Sequence, residues 1–173
     1  MFPSLFRAVC IALLAVLVGA CSDNSTNPGD DGNGGDGGIT MTLNGSAWTS
    51  TAGAAASVTV QNGRIIAIGV SGLRGQTEGI TFGAANFAGL TTGTTYVLDD
   101  PNTSLSATWT NAAGEFYNTI PGQGFGEMTI TGFNETDGHI SGTFAFDLTA
   151  VDSSTVEVRG GLFERVPATI NAP

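Results

Sequence analysis

From Ile39 onward the apolar residues recur at every second position in short runs, and no run outside the first 20 residues shows the three-and-four spacing of a helix. The clearest run is Gly126 to Leu148. Along its second arm Ile140, Phe144, Phe146 and Leu148 share a face with Gly142, while Ser141, Thr143, Ala145, Asp147 and Thr149 take the other. Along its first arm Met128 and Ile130 alternate with Glu127, Thr129 and Thr131, and Asn134 to Gly138 between the arms has turn composition. The pattern predicts one long antiparallel hairpin with a dry face and a wet face, whose Phe144 and Phe146 are buried at the centre of the domain.

The same reading places strands elsewhere. Ile39, Met41 and Leu43 alternate with Thr40 and Thr42, Asn44-Gly45 turns the chain, and Ala47-Trp48-Thr49 returns. Ser57 to Val60 and Arg64 to Val70 flank Gln61-Asn62-Gly63. A two-residue Asn-Gly loop pairs Val60 with Ile65 but scatters the apolar residues over both faces. A three-residue loop with Gly63 left-handed pairs Val60 with Arg64, Val58 with Ile66 and Ala56 with Ile68, collects them on one face, and is the expected register. Ser71 to Gly75 reads as a loop. Gly79 to Gly83, Thr94 to Leu98, Ser104 to Thr110 and Glu115 to Thr119 read as further strands, with turns at Asp99 to Asn102 and Asn111 to Gly114. Thr155 to Val158 alternates again, Gly160-Gly161 suggests a bulge, and Leu162-Phe163 re-enters the core. The expected fold is all-β: an antiparallel meander of about ten short strands forming a β-sandwich or closed barrel.

The N-terminal segment changes the picture. Met1 to Arg7 carries one positive charge, Ala8 to Val18 is an unbroken apolar run of 11, and small residues precede Cys21. That is a secretory signal over residues 1–20, too short to span a bilayer. Leu17-Val18-Gly19-Ala20-Cys21 resembles a bacterial lipobox. The resemblance implies cleavage before Cys21, a diacylglycerol on its thiol and often an acyl chain on its new amine. Several chains on one residue would anchor stably where a single one would not. Ser22 to Gly38 is mostly Gly, Asp, Asn and Ser with no large apolar residue, so residues 21–38 read as a lipidated Cys and a disordered tether. A Gly-rich coil of this length spans about 20–25 Å. Residues 39–173 form the single β domain. Cys21-Ser22-Asp23-Asn24 lacks Asp directly after the Cys and resembles signals that send lipoproteins to the bacterial outer membrane or cell surface.

Composition then narrows the partners. The chain carries 5 Arg, no Lys and 15 acidic residues, a net charge of −10. Such a surface repels phosphate backbones and anionic headgroups, so nucleic acid and electrostatic membrane docking are disfavoured, and the membrane contact expected is the lipid on Cys21. The two cysteines, Cys10 and Cys21, both precede the domain and cannot staple it.

Four motifs carry a family likeness: Asn44-Gly45-Ser46-Ala47-Trp48, Gly93-Thr94-Thr95-Tyr96, Ile140-Ser141-Gly142-Thr143-Phe144-Ala145-Phe146 and Gly161-Leu162-Phe163. Together they resemble a family of bacterial secreted lipoproteins whose all-β domain has no assigned function. The likeness covers most of Ile39 to Val166, the Ser-Gly-Thr-Phe element being its most specific part. Thr95 departs from it, since a Tyr more often follows Gly-Thr there. The resemblance implies no catalytic residue.

The residues themselves offer little chemistry. His139 is the only histidine. Its place after Asp137-Gly138 reads as a solvated turn, and the domain has no cysteine, so neither a catalytic triad nor a zinc site nor any cofactor is indicated. Glu127, Asp147 and Glu157 fall on wet faces by alternation, where a carboxylate has no reason to act as an acid near neutral pH. The expectation is a non-enzymatic domain that binds a small molecule, glycan or protein or serves as an envelope or adhesion component. The alternative is a carbohydrate-active or other hydrolase using paired carboxylates. Phe116 and Tyr117 are adjacent and must point to opposite sides of a strand. With Trp109, which shares a face with Leu105 and Ala107 and so favours the core, they are the candidate ligand contacts, a stacking platform for a sugar or another flat ligand.

Overall fold

The structure is a computed structural model that describes residues 37–172. Within them the chain forms β1 (Gly38–Leu43), β2 (Ser46–Thr49), β3 (Ala54–Gln61), β4 (Arg64–Arg74), β5 (Glu78–Leu90), β6 (Thr95–Val97), β7 (Ser104–Thr110), β8 (Phe116–Asn118), β9 (Gly126–Asn134), β10 (His139–Thr149) and β11 (Thr155–Asn171). The expected all-β class is what is found.

β10 and β11 are the spine, running antiparallel from His139 opposite Pro167 to Thr149 opposite Thr155. On its other edge β10 carries β9 along His139 to Phe146, then meets β8 at Thr149 opposite Asn118. β11 branches in the same way: β1 lies along Val158 to Glu164, and β3 takes over at Ala168 to Asn171. β3, β4, β5, β7 and β8 are successive neighbours, so the sheet leaves the spine through β3 and returns to it through β8 as a partially closed ring. β2 extends it beyond β1, and β6 beyond β9.

The dry faces of both halves meet inside this ring. Phe82 of β5 stacks on Phe144 of β10 at 4.1 Å and approaches Phe163 of β11 at 5.5 Å, while Trp48 of β2 meets Trp109 of β7 edge to face at 5.4 Å. Aromatic pairs in these arrangements add about 0.5–1.5 kcal/mol each beyond the area they bury. Two glycines make this packing fit. Gly142 faces Phe163 across the spine and Gly161 faces Phe144, so each glycine is roofed by the ring of the residue opposite. A Cβ on Gly142 would lie 2.2 Å from the Thr129 carbonyl oxygen and 2.4 Å from Phe163 Cζ; one on Gly161 would lie 2.5 Å from the Phe144 carbonyl oxygen.

Several expectations are corrected. The 54–74 hairpin uses neither register reasoned from the sequence. Its loop is the two-residue Asn62-Gly63, both with positive φ (52° and 71°), pairing Val60 with Ile65. A bulge at Ile66 then shifts the ladder, so that Val58 faces Ile68 and Ala56 faces Val70. The twist-matched turn and one apolar face are compatible once a bulge absorbs the odd residue. Of Ser71 to Gly75 only Gly75 begins the turn: β4 continues to Arg74, because Gly72 lets the strand pass beneath Ile39, whose Cδ1 lies 2.8 Å from where a Cβ would be. β5 runs on to Leu90, and β11 is one long strand that bulges at Arg159-Gly160, as Gly160-Gly161 suggested, and again at Glu164-Arg165. The meander is not purely antiparallel either, since β11 pairs with β3 in parallel. Ala145, expected on the wet face, is buried.

The hairpin reading itself holds: Ile140, Phe144, Phe146 and Leu148 are buried, and Thr143 is exposed. Truncating Phe144 or Phe146 to Ala should cost about 3–5 kcal/mol, a large part of a typical stability of about 5–15 kcal/mol. Thr143→Ala should stay within about 0.5 kcal/mol. Urea unfolding of the three variants checks this, and equal losses at Thr143 and Phe144 would reverse inside and outside. Gly142→Ala and Gly161→Ala should each destabilise by about 1–3 kcal/mol or more, because backbone oxygens block the added methyl group. Gly132→Ala, in β9 with open space around it, is the control that should not.

Candidate functional site

With the ring filled by apolar side chains, the groups open to a partner lie on its outer faces, and the two halves differ there. The outer face of β9, β10 and β11 is charged. Glu127 is opposite Ala145, and Asp147 is opposite Glu157. At the first bulge of β11, Arg159 Nη1 donates to the carbonyl oxygens of Phe146 and Val158, both at 2.9 Å, and its Nη2 pairs with Asp147. Asp147 Oδ2 accepts from the Phe125 amide at 3.0 Å, and the Phe125 ring lies 5.6 Å from the guanidinium carbon. These groups hold the chain before β9 against β10. Asp147 and Glu157, the pair a hydrolase would need, are thus on an open face, with Asp147 committed to an arginine and a backbone amide.

The outer face of β3, β4, β5, β7 and β8 has another character. Its inward residues, Val58, Val70, Phe82 and Leu105 among them, are buried, so the alternate residues point outward. They line up in rows across the strands. One row runs Ala55, Ser71, Thr81, Thr108, Asn118, and another runs Leu73, Gly79, Thr110, Phe116. Between the row at Thr59, Ala67, Ala85 and Ser104 and the row ending at Phe116, no outward side chain is ionisable. Arg64 stands beyond its edge, at the tip of the β3–β4 hairpin.

At the end of the ring where the β4–β5 turn lies, Arg74 is 5.7 Å above the Trp48 ring and donates twice to Glu78, at 2.6 Å each. Trp48 Nε1 is enclosed there without a hydrogen-bond partner. In the β10–β11 turn the Ser154 hydroxyl and amide donate to Asp152 and hold its carboxyl below the usual range.

The three aromatic candidates do not come together. Trp109 is 3% exposed and lies in the core against Trp48, because it is on the inward side of β7 with Leu105 and Ala107; it offers no ring to a ligand. Tyr117, opposite Trp109, also turns inward and packs against the core. Phe116 takes the outward side and is 61% exposed. His139 is not a turn residue: it opens β10 opposite Asn134 and Pro167, half-buried, with Nδ1 enclosed and unpartnered. Among the described residues no three His, Cys, Asp or Glu side chains gather as a metal site. Cys21 lies outside the described residues. Sequence reasoning missed the uncharged face, although the absence of any charged residue from Ala54 to Gly63 and from Gly79 to Leu98 was its visible signal.

No curated protein and no solved structure matches the chain. Residues 36–167 match the family described as Domain of unknown function (DUF6252), and the protein belongs to that family.

Proposed function

We propose that this protein is a lipid-anchored component of the bacterial envelope, held through Cys21 at the outer membrane or cell surface, whose β domain binds a ligand without transforming it. The observation that carries the binding reading is the division of the domain into a filled apolar interior and open outer faces. The carboxylates that a hydrolase would recruit, Glu127, Asp147 and Glu157, are on an outer face, and Asp147 is taken up by Arg159. A general acid with a raised pKa needs a desolvated site, and an open sheet face does not supply one. The anchor is supported by the apolar run Ala8 to Val18 and the small residues that precede Cys21. The tether that follows would let the domain stand about 20–25 Å from the headgroups.

Cys21→Ser should move the protein from the membrane fraction to the soluble fraction and abolish labelling by a fatty-acid analogue; a mutant that still sediments with membranes and still labels would end the lipoprotein reading. Protease added to intact cells should cut within residues 22–36 and release the domain. Full protection, with cutting only after the outer membrane is permeabilised, would place the domain on the periplasmic side.

A further inference from the structure

We propose that the uncharged outer face of β3, β4, β5, β7 and β8 is a docking surface for a neutral polysaccharide. This rests on the reading that the domain binds rather than catalyses, and it names the class of ligand. The first observation is electrostatic. In a chain of net charge −10, the carboxylates Glu127, Asp147, Glu157 and Glu164 are on the other half of the ring, and this face has none. An anionic polymer or nucleic acid would find no cation on it and would be repelled by the rest of the surface. A neutral polymer meets neither penalty.

The second observation is chemical. Hydroxyl groups stand level on adjacent strands at Ser71, Thr81 and Thr108, about 4.8 Å apart across the sheet and about 6.6 Å from the next row along each strand. Each hydroxyl can donate one hydrogen bond and accept two, as a sugar hydroxyl can. Thr81, Ser106 and Thr110 spend none of theirs on the protein, while Ser71 donates to the Ala55 carbonyl oxygen at 3.5 Å and Thr108 donates to Asn118 at 2.8 Å. At one corner Phe116 presents an exposed ring on which the apolar face of a sugar can stack.

Size separates this occupant from a second copy of the chain. Four strands wide, five in the row of Asn118, and four rows long, the face measures about 15 by 20 Å, or about 300 Å², less than half of the roughly 800 Å² per partner of a standard protein interface. Two copies would also bring two net charges of −10 together. A polymer strand laid across the rows needs no more area than is present.

The test uses the full chain, extracted in detergent from a bacterial host and mixed with suspended cellulose, granular starch and, as the anionic comparison, alginate beads. Retention is expected on cellulose or starch and not on alginate. It should be unchanged between about 0.1 M and about 1 M NaCl, where the screening length falls from about 10 Å to about 3 Å. Thr81→Glu, at the centre of the face, should lower retention about tenfold or more at an unchanged melting temperature, with Ser106→Glu reading the same face if that variant is unstable. Glu127→Ala, on the charged half, should have no effect. Loss of retention on both neutral polymers, or retention that neither substitution changes, overturns the proposal. A chain that sediments as a dimer and becomes a monomer with Thr81→Glu overturns it in favour of a second copy. Release of reducing ends from the polymer would overturn the non-catalytic reading above while leaving the docking surface in place.

Discussion

The fold depends on the close approach of β10 and β11, where Gly142 lies beneath Phe163 and Gly161 beneath Phe144. A side chain at either glycine would meet backbone oxygen, which cannot rotate away as a side chain can. Because both rings lie over glycine, they are open to the opposite half of the ring: Phe82 stacks on Phe144 at 28° and meets Phe163 tilted at 59°. Core packing, sheet curvature and the spacing of the two halves therefore meet at one reciprocal pair of contacts.

Closure of the ring brings a second constraint. β11 pairs along one edge with β1 and then with β3, and it bulges twice against β10 before that change of partner. Each bulge leaves backbone groups without ladder partners, and a buried polar group left so is costly. Arg159 supplies donors at the first bulge; at the second, the Ser141 hydroxyl accepts from the Arg165 amide at 2.9 Å. The charged half of the outer surface is thus partly committed to holding the spine together. The uncharged half carries no such duty, since β3, β4, β5 and β7 pair through ordinary antiparallel ladders with one bulge at each edge of β4.

Local alternation was enough to read the β10 faces, the Asn44-Gly45 turn and the inward side of Trp109, because period two sets the side of the sheet without reference to any partner strand. The same reasoning predicted that Phe116 and Tyr117 diverge, and Phe116 is the one left open. It failed at Ile66, where two local preferences conflicted and a bulge satisfied both. It failed again at Ser71 to Arg74, which continue β4 up to the turn at Gly75, with Gly72 lying beneath Ile39.

By itself, then, the sequence determined the class of the fold, the inside and outside of most strands, the turns that need positive φ, and the acidic character of the surface. Each of these follows from the order of residues a few positions apart. Tertiary structure alone decided that β11 lies parallel to β3, that the sheet returns to the spine through β8, and that outward residues of five strands join into one face without charge. Those outcomes depend on which strands become neighbours, and strand neighbours are chosen by contacts such as Phe82 on Phe144, between residues 62 positions apart in the chain, for which alternation carries no signal.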